Sequence, residues 1–217
     1  MKRSMSENEM NFLTTLLKDF GSQQIYEVLI CLEKGVDISG YIDSSFNGGQ
    51  IAQIRRGLEN GIDVSVYAKP EFDMQRMEIT RQCLQFGIDK SICANPEFSV
   101  DQMEKIYSGF IDNLNVSLYA NPKFNLRQMD EIRYGLLLGI DASIYADPKF
   151  NRDQMEQIRK GLEQGLDVSI YADPKYDRNQ MAQIRYGLAS GIDVSLYADP
   201  QYEWDQMREI RWGLEKG

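Results

Sequence analysis

DVSLYADP stands at residues 193–200, DVSIYADP at 167–174 and DASIYADP at 141–148, so successive copies begin 26 residues apart. The same lattice runs through most of the chain. Tyr67, Tyr119, Tyr145, Tyr171 and Tyr197 fall on it, and Cys93 fills the remaining slot. Ala68, Ala94, Ala120, Ala146, Ala172 and Ala198 follow, and two residues after each comes Pro70, Pro96, Pro122, Pro148, Pro174 or Pro200. Every proline of the chain is used at this one position. Backwards, Tyr41 marks a degenerate unit without proline, and a weaker unit lies around Phe20 to Gly35. A period of this length is the signature of a repeat architecture.

The consensus reads F-[DN]-x-x-Q-M-x-x-I-R-x-G-L-x-x-G-[IL]-D-V-S-x-Y-A-[DN]-P. In the copy that begins at Phe150, Asn151 is a helix N-cap and Gln154 completes a capping box. Phe150 and Met155 take the two positions of a hydrophobic staple. The helix runs to Gln164, where Gly165 supplies the left-handed C′ residue and Leu166 the apolar residue after it. Asp167 then caps a short helical turn over Val168 to Ala172, of 3₁₀ type, which Pro174 stops by disfavouring helical geometry at Asp173. Met155, Ile158 and Leu162 form one apolar stripe, and Leu166, Ile170, Tyr171 and Tyr176 a second layer. A unit this small cannot bury its stripe alone, but stacked units can. The expected fold is therefore all-α: an α-solenoid of tandem units, each a long helix plus a short 3₁₀-like turn. It forms one domain over 1–217, with an N-terminal cap and degenerate unit over 1–35 and tandem units over 36–217. Residues 6–19 read as an amphipathic capping helix opened by Ser6 and Glu9.

The alternation of one helix with a short turn, joined by an A-[DN]-P step, resembles the leucine-rich-variant type of helical solenoid. The period differs by a couple of residues, and no Cys-rich cluster is present. YADPKF (145–150) with QMEQIRKGLEQGLDVS (154–169) resembles uncharacterised repeat proteins of gut Firmicutes and their mobile elements, over about residues 36–217. That resemblance implies an interaction protein and carries no catalytic residue over.

Composition narrows the function. The net charge of −9 opposes direct nucleic-acid binding and binding to anionic membranes by bulk charge. No apolar run approaches the roughly 20 residues of a membrane span, and no secretory signal is visible. Cys31, Cys83 and Cys93 form no CxxC pair and suit a reduced cytosol, so a cytoplasmic location is expected. The chain has no histidine, which removes the commonest general base and metal ligand. No metal, cofactor or catalytic residue is expected.

Several columns are candidates for function. Arg55, Arg81, Arg133, Arg159, Arg185 and Arg211 recur, with Tyr107 the exception. They suit either an anion clamp or a structural ladder, in which stems cover apolar surface and guanidinium groups meet the neighbouring unit. Regular repetition favours the ladder, with Asp63, Asp89, Asp141, Asp167 and Asp193 as partners. Gly57, Gly109, Gly135, Gly161, Gly187 and Gly213 stand inside the helix, with Cys31 and Cys83 in the equivalent place, and suggest close approach between adjacent helices. The tyrosine and methionine columns read as packing.

Departures from the repeat point to a partner. On a helical wheel Ile79, Phe86, Tyr134, Leu138, Tyr186 and Trp212 face solvent, and Ile111 and Leu137 sit at the edge of the apolar face. Apolar side chains that the scaffold does not need mark contact surfaces. The expected function is a non-enzymatic protein-binding scaffold, regulatory or inhibitory toward another bacterial or phage protein. The alternative is an acidic nucleic-acid mimic or defence-system antagonist encoded on a phage or mobile element. Homodimers through the C-terminal unit, which holds Trp204 and Trp212, or through the central apolar patch are part of the same expectation.

Overall fold

The computed structural model describes residues 7, 10, 11, 14 and 18–217, so the expected capping helix over 6–19 and its Ser6–Glu9 cap fall largely outside the described residues. Within the described residues the chain is all-α, with nine helices: α1 (Ser22–Lys34), α2 (Gly48–Glu59), α3 (Met74–Gln85), the short α4 (Lys90–Cys93), α5 (Val100–Ile111), α6 (Leu126–Leu137), α7 (Arg152–Glu163), α8 (Arg178–Ala189) and α9 (Trp204–Lys216). Single 3₁₀ turns stand between long helices at Val64–Val66, Val116–Leu118, Ala142–Ile144, Val168–Ile170 and Val194–Leu196. Two compact halves, Met1–Tyr107 and Ser108–Gly217, make up the chain. In the first, α1 packs on α2 and α2 on α3; in the second, α6 packs on α7, α7 on α8 and α8 on α9. This sequential stacking of helix-plus-turn repeats is the α-solenoid arrangement.

Local chemistry sets the element boundaries. Asn47, Asn125, Asn151 and Asp177 accept hydrogen bonds from the third helical amide, and the glutamine at that position returns one to the cap amide. Gly35, Gly61, Gly87, Gly139, Gly165 and Gly191 all have φ between 68° and 81°, and Asn113 takes the same left-handed place with φ 56°. Asparagine is the residue other than glycine that best tolerates it. Asp63, Asp141, Asp167 and Asp193 each accept from the amide two residues on and so cap the 3₁₀ turns.

Met155, Ile158, Met181 and Ile184 are wholly buried. Each such side chain contributes about 1.5–3 kcal/mol of hydrophobic stabilisation. The second layer differs from the expected one. Val168 and Tyr171 are buried, while Ile170 is exposed, as are Ile144 and Leu196 in the same column. A 3₁₀ turn has three residues per turn, so positions i and i+3 share the inner face and i+2 points away.

The glycine column has a more specific cause than close approach between helices. A Cβ on Gly57, Gly135, Gly161 or Gly187 would overlap the hydroxyl of Tyr67, Tyr145, Tyr171 or Tyr197, each ten residues on in the same repeat. In each case that hydroxyl donates to the backbone carbonyl four residues before the glycine, at 3.0 Å for Tyr67 on Gln53 and 3.2 Å for Tyr171 on Gln157. The departures obey the same rule. Where Cys83 replaces glycine, Cys93 replaces tyrosine, and both thiols are buried. Where Cys31 replaces glycine, Tyr41 is exposed instead of inserted. Burial pushes the Cys31 thiol up to about 11, so it is a packing group and not a thiolate.

The capping-box glutamine also joins consecutive repeats. Gln154 Nε2 donates to the carbonyls of Pro174 at 3.1 Å and Tyr176 at 2.7 Å. Gln50, Gln128 and Gln180 repeat this geometry on the next proline and aromatic residue. Arg76 occupies the glutamine position in α3 and reaches the carbonyls of Asn95 and Phe98 instead.

Candidate interaction surface

The arginine column forms a structural ladder, but not with the expected aspartates. Arg55, Arg81, Arg159, Arg185 and Arg211 each donate from Nε to the side chain 28 residues earlier: Glu27, Gln53, Glu131, Gln157 and Gln183. Arg55, Arg159 and Arg211 also pair with the glutamate four residues on, Glu59, Glu163 and Glu215. The aspartate column is engaged elsewhere, because Asp141 and Asp167 accept from the hydroxyls of Ser143 and Ser169.

This pairing explains the departures. The position 28 residues before Tyr107 is Ile79, so acceptor and donor are both replaced by non-ionic side chains. Ile79 was expected to face solvent; it is 4% exposed. The wheel of one helix points that column outward, but Gln53, Glu131, Gln157 and Gln183 show that it is covered by the neighbouring repeat. The position four residues after Arg133 is Leu137, which offers no carboxylate. Arg133 turns to Ser108 at 2.9 Å and Asp112 at 2.5 Å, and its buried Nε has no hydrogen-bond partner among the described residues.

The other singled-out apolar side chains are exposed. In the first half Phe86 is exposed and meets the ring of Tyr107 edge-on at 5.5 Å. In the second half Ile111, Tyr134, Leu137, Leu138, Tyr186 and Trp212 are all between 42% and 54% exposed. The guanidinium of Arg159 lies over the Tyr134 ring at 4.5 Å, that of Arg185 over Tyr186 at 4.5 Å, and that of Arg208 over Trp212 at 4.8 Å and Trp204 at 5.2 Å. Arg211 approaches Tyr186 at 5.6 Å. Ladder arginines thus hold the two tyrosine rings, and Arg208 outside the ladder holds the two tryptophans, while each ring stays partly exposed. Between α6 and α7 lies an open groove lined by Tyr134, by Arg127, Arg152 and Arg159, and by Asp130, Glu131 and Asp153. The exposed Ile144, Ile170 and Leu196 add an apolar column that helical-wheel reasoning on the long helices did not reach. The three-residue periodicity of the turns was the signal that could have found it.

No group of three or more His, Cys, Asp or Glu among the described residues could hold a metal ion, and no helix among them is long and apolar enough to cross a membrane. Neither a family model, nor a curated protein, nor a solved structure matches the chain.

Proposed function

We propose that this chain is a repeat scaffold that binds another protein through the exposed aromatic and aliphatic side chains of its second half. The observation that carries this reading is the row of exposed Tyr134, Tyr186 and Trp212, each stacked by an arginine: Arg159 and Arg185 of the ladder on the tyrosines, and Arg208 on the tryptophan. Tyr, Trp and Arg are the residue types enriched at binding hot spots. Stacking lowers the rotamer freedom that such rings lose on association, so part of the binding cost is already met. Leu137 and Leu138 extend the row with aliphatic surface that the scaffold does not use.

Affinity capture from the native cell, with the unaltered protein beside a Tyr134→Ala, Tyr186→Ala, Trp212→Ala variant, tests this reading. Loss of a protein partner with the variant, at unchanged helical circular dichroism, is the expected result. Equal recovery of every partner by both proteins removes this surface from the function. Recovery of a nucleic-acid-binding protein that nucleic acid displaces from the scaffold would favour the mimic reading.

A further inference from the structure

One column of the short turns stays aliphatic although the second half exposes it. Val66, Ile92, Leu118, Ile144, Ile170 and Leu196 occupy it, so no copy places a polar residue there. The residue before it is serine in every copy. The residue two places before it faces inward, as buried Ala142, Val168 and Val194 show. Ile144, Ile170 and Leu196 are 41%, 38% and 58% exposed. Ile144 has the turns Val116–Leu118 and Val168–Ile170 on either side of it along the chain, and Ile170 has Ala142–Ile144 and Val194–Leu196. Their exposure is therefore not that of an end repeat.

Carboxylates flank this column. Asp141, Asp167 and Asp193 stand three residues before it, and Asp147, Asp173 and Asp199 three residues after it. Over 141–149, 167–175 and 193–201 these six meet two basic residues, Lys149 and Lys175. Lys175 reaches Asp173 only at 3.6 Å. Each aspartate accepts from the amide two residues on, which fixes a carboxylate at both ends of every turn.

We propose that the turn row of the second half is a docking site for a basic amphipathic helix of another polypeptide, with aliphatic side chains about seven residues apart and lysine or arginine beside them. Spacing selects a helix. Stacked helices lie about 8–10 Å apart, and the turns of successive repeats are spaced likewise. Seven residues of an α-helix rise about 10.5 Å and return to nearly the same face. Same-face residues of an extended strand fall about 7 or 13 Å apart and miss that spacing. Charge selects the rim: the aspartates pair with lysine or arginine while the aliphatic groups meet between them. The same carboxylates repel nucleic acid and anionic lipid. This row lies on the turns, whereas the rings proposed above as a partner surface lie on the long helices, so neither proposal depends on the other.

The probe is a fluorescent leucine–lysine peptide of about 18 residues with its leucines on one helical face, about 27 Å of helix and long enough to cross three repeats. Binding to the whole protein is read by anisotropy, and saturable binding is expected. Ile144→Ser with Ile170→Ser and Leu196→Ser should weaken it about tenfold or more at unchanged helical circular dichroism. Asp147→Asn with Asp173→Asn and Asp199→Asn should weaken it at least about threefold. Asn95 and Asn121 hold that place in other repeats and accept the same amide bond, so these changes remove charge and keep the turn. A peptide of equal composition with its leucines scattered round the helix should bind less tightly. The proposal is overturned by failure to bind up to millimolar concentration, or by equal binding of the scattered peptide. Binding that the serine variant leaves unchanged would be attraction by net charge alone and overturns it too, as does indifference to the asparagine variant. Sedimentation of the protein alone provides the remaining arm. Self-association that the serine variant abolishes, without peptide binding, would assign the row to a second copy and overturn the proposal as stated.

Discussion

The hydroxyl of Tyr171 occupies the space that a side chain on Gly161 would need, and from there it donates to the carbonyl of Gln157. One residue pair thus fastens the 3₁₀ turn of a repeat to its own long helix. A glycine in a helix interior costs about 1 kcal/mol relative to alanine, and the inserted phenol ring offsets that cost.

The first prediction follows from comparing two glycines of the same column. Gly135→Ala places a methyl group on the Tyr145 hydroxyl and should destabilise the protein by roughly 1–3 kcal/mol, the range for overpacking. Gly213→Ala meets nothing within 4 Å and should stabilise by up to about 1 kcal/mol through helix propensity alone. Urea unfolding of the two variants measures both. If both shift in the same direction, the steric account of the column is wrong. Adding Tyr145→Phe to Gly135→Ala removes the overlapping oxygen, so the pair should be less harmful than the sum of the single changes.

Cys83 and Cys93 give the second prediction. They replace the glycine and the tyrosine of one repeat together, and both are buried. Cys93→Tyr alone drives a phenol into a slot already narrowed by the Cys83 side chain, and should cost roughly 1–3 kcal/mol. Cys83→Gly with Cys93→Tyr rebuilds the pair used at Gly57–Tyr67 and should recover most of that loss. A double-mutant cycle on thermal unfolding reads the coupling; additive effects would show that the two positions are independent.

Which parts of this were legible in the sequence depends on the distance between the groups involved. The caps at Asn151 and Asp167 and the left-handed Gly165 involve neighbours within a few residues, and the residue types announce them. The glycine column was visible, but its reason lay ten residues away in the tyrosine of the next element. The two uses of Gln154 show the limit clearly. Its bond to Asn151 follows from local spacing, while its bonds to Pro174 and Tyr176 require knowing how repeats stack. Ile79 was misplaced for the same reason, because a single-helix wheel leaves out the repeat that covers it. The exposed Tyr134, Leu138, Tyr186 and Trp212 were legible because nothing in the repeat needs an apolar group there.

Arg159 and Glu131 supply the third prediction. Their side chains are 7% and 5% exposed and meet at 2.6 Å, and Glu163 pairs with the same guanidinium. Burial opposes the charge of Arg159, but the hydrogen bonds and charges of Glu131 and Glu163 outweigh it and hold the guanidinium pKa above its ordinary value. Glu131→Gln keeps an acceptor of the kind that serves Arg185 and Arg211 at Gln157 and Gln183, and should cost under about 1.5 kcal/mol. Glu131→Ala removes it and should cost more, about 2–3 kcal/mol, because a buried guanidinium then keeps only one of its two carboxylate partners, Glu163. Equal losses for the two variants, measured by chemical denaturation, would remove the ladder from the stability of the fold.

The ends of the pH range test the caps and the inserted tyrosines separately. The Ser143, Ser169 and Ser195 hydroxyls and amides hold the carboxyls of Asp141, Asp167 and Asp193 below their ordinary value. A depressed folded-state pKa gives stability that is complete above the unfolded value near 3.8 and disappears as pH falls through the folded value. Replacing all three aspartates with asparagine, which at position 115 of the same column accepts from the Ser117 hydroxyl at 2.6 Å, should flatten this acid limb. At the other end, burial pushes Tyr119 and Tyr197 up to about 12 and raises Tyr67, Tyr145 and Tyr171 as well. Here the folded pKa lies above the unfolded value of about 10, so their contribution is complete below that pH and falls as pH rises through the folded values. The phenolate absorbance of these five tyrosines should therefore appear together with the loss of helical circular dichroism. Their ionisation in a fully helical protein would show that the hydroxyls are not held in the glycine slots.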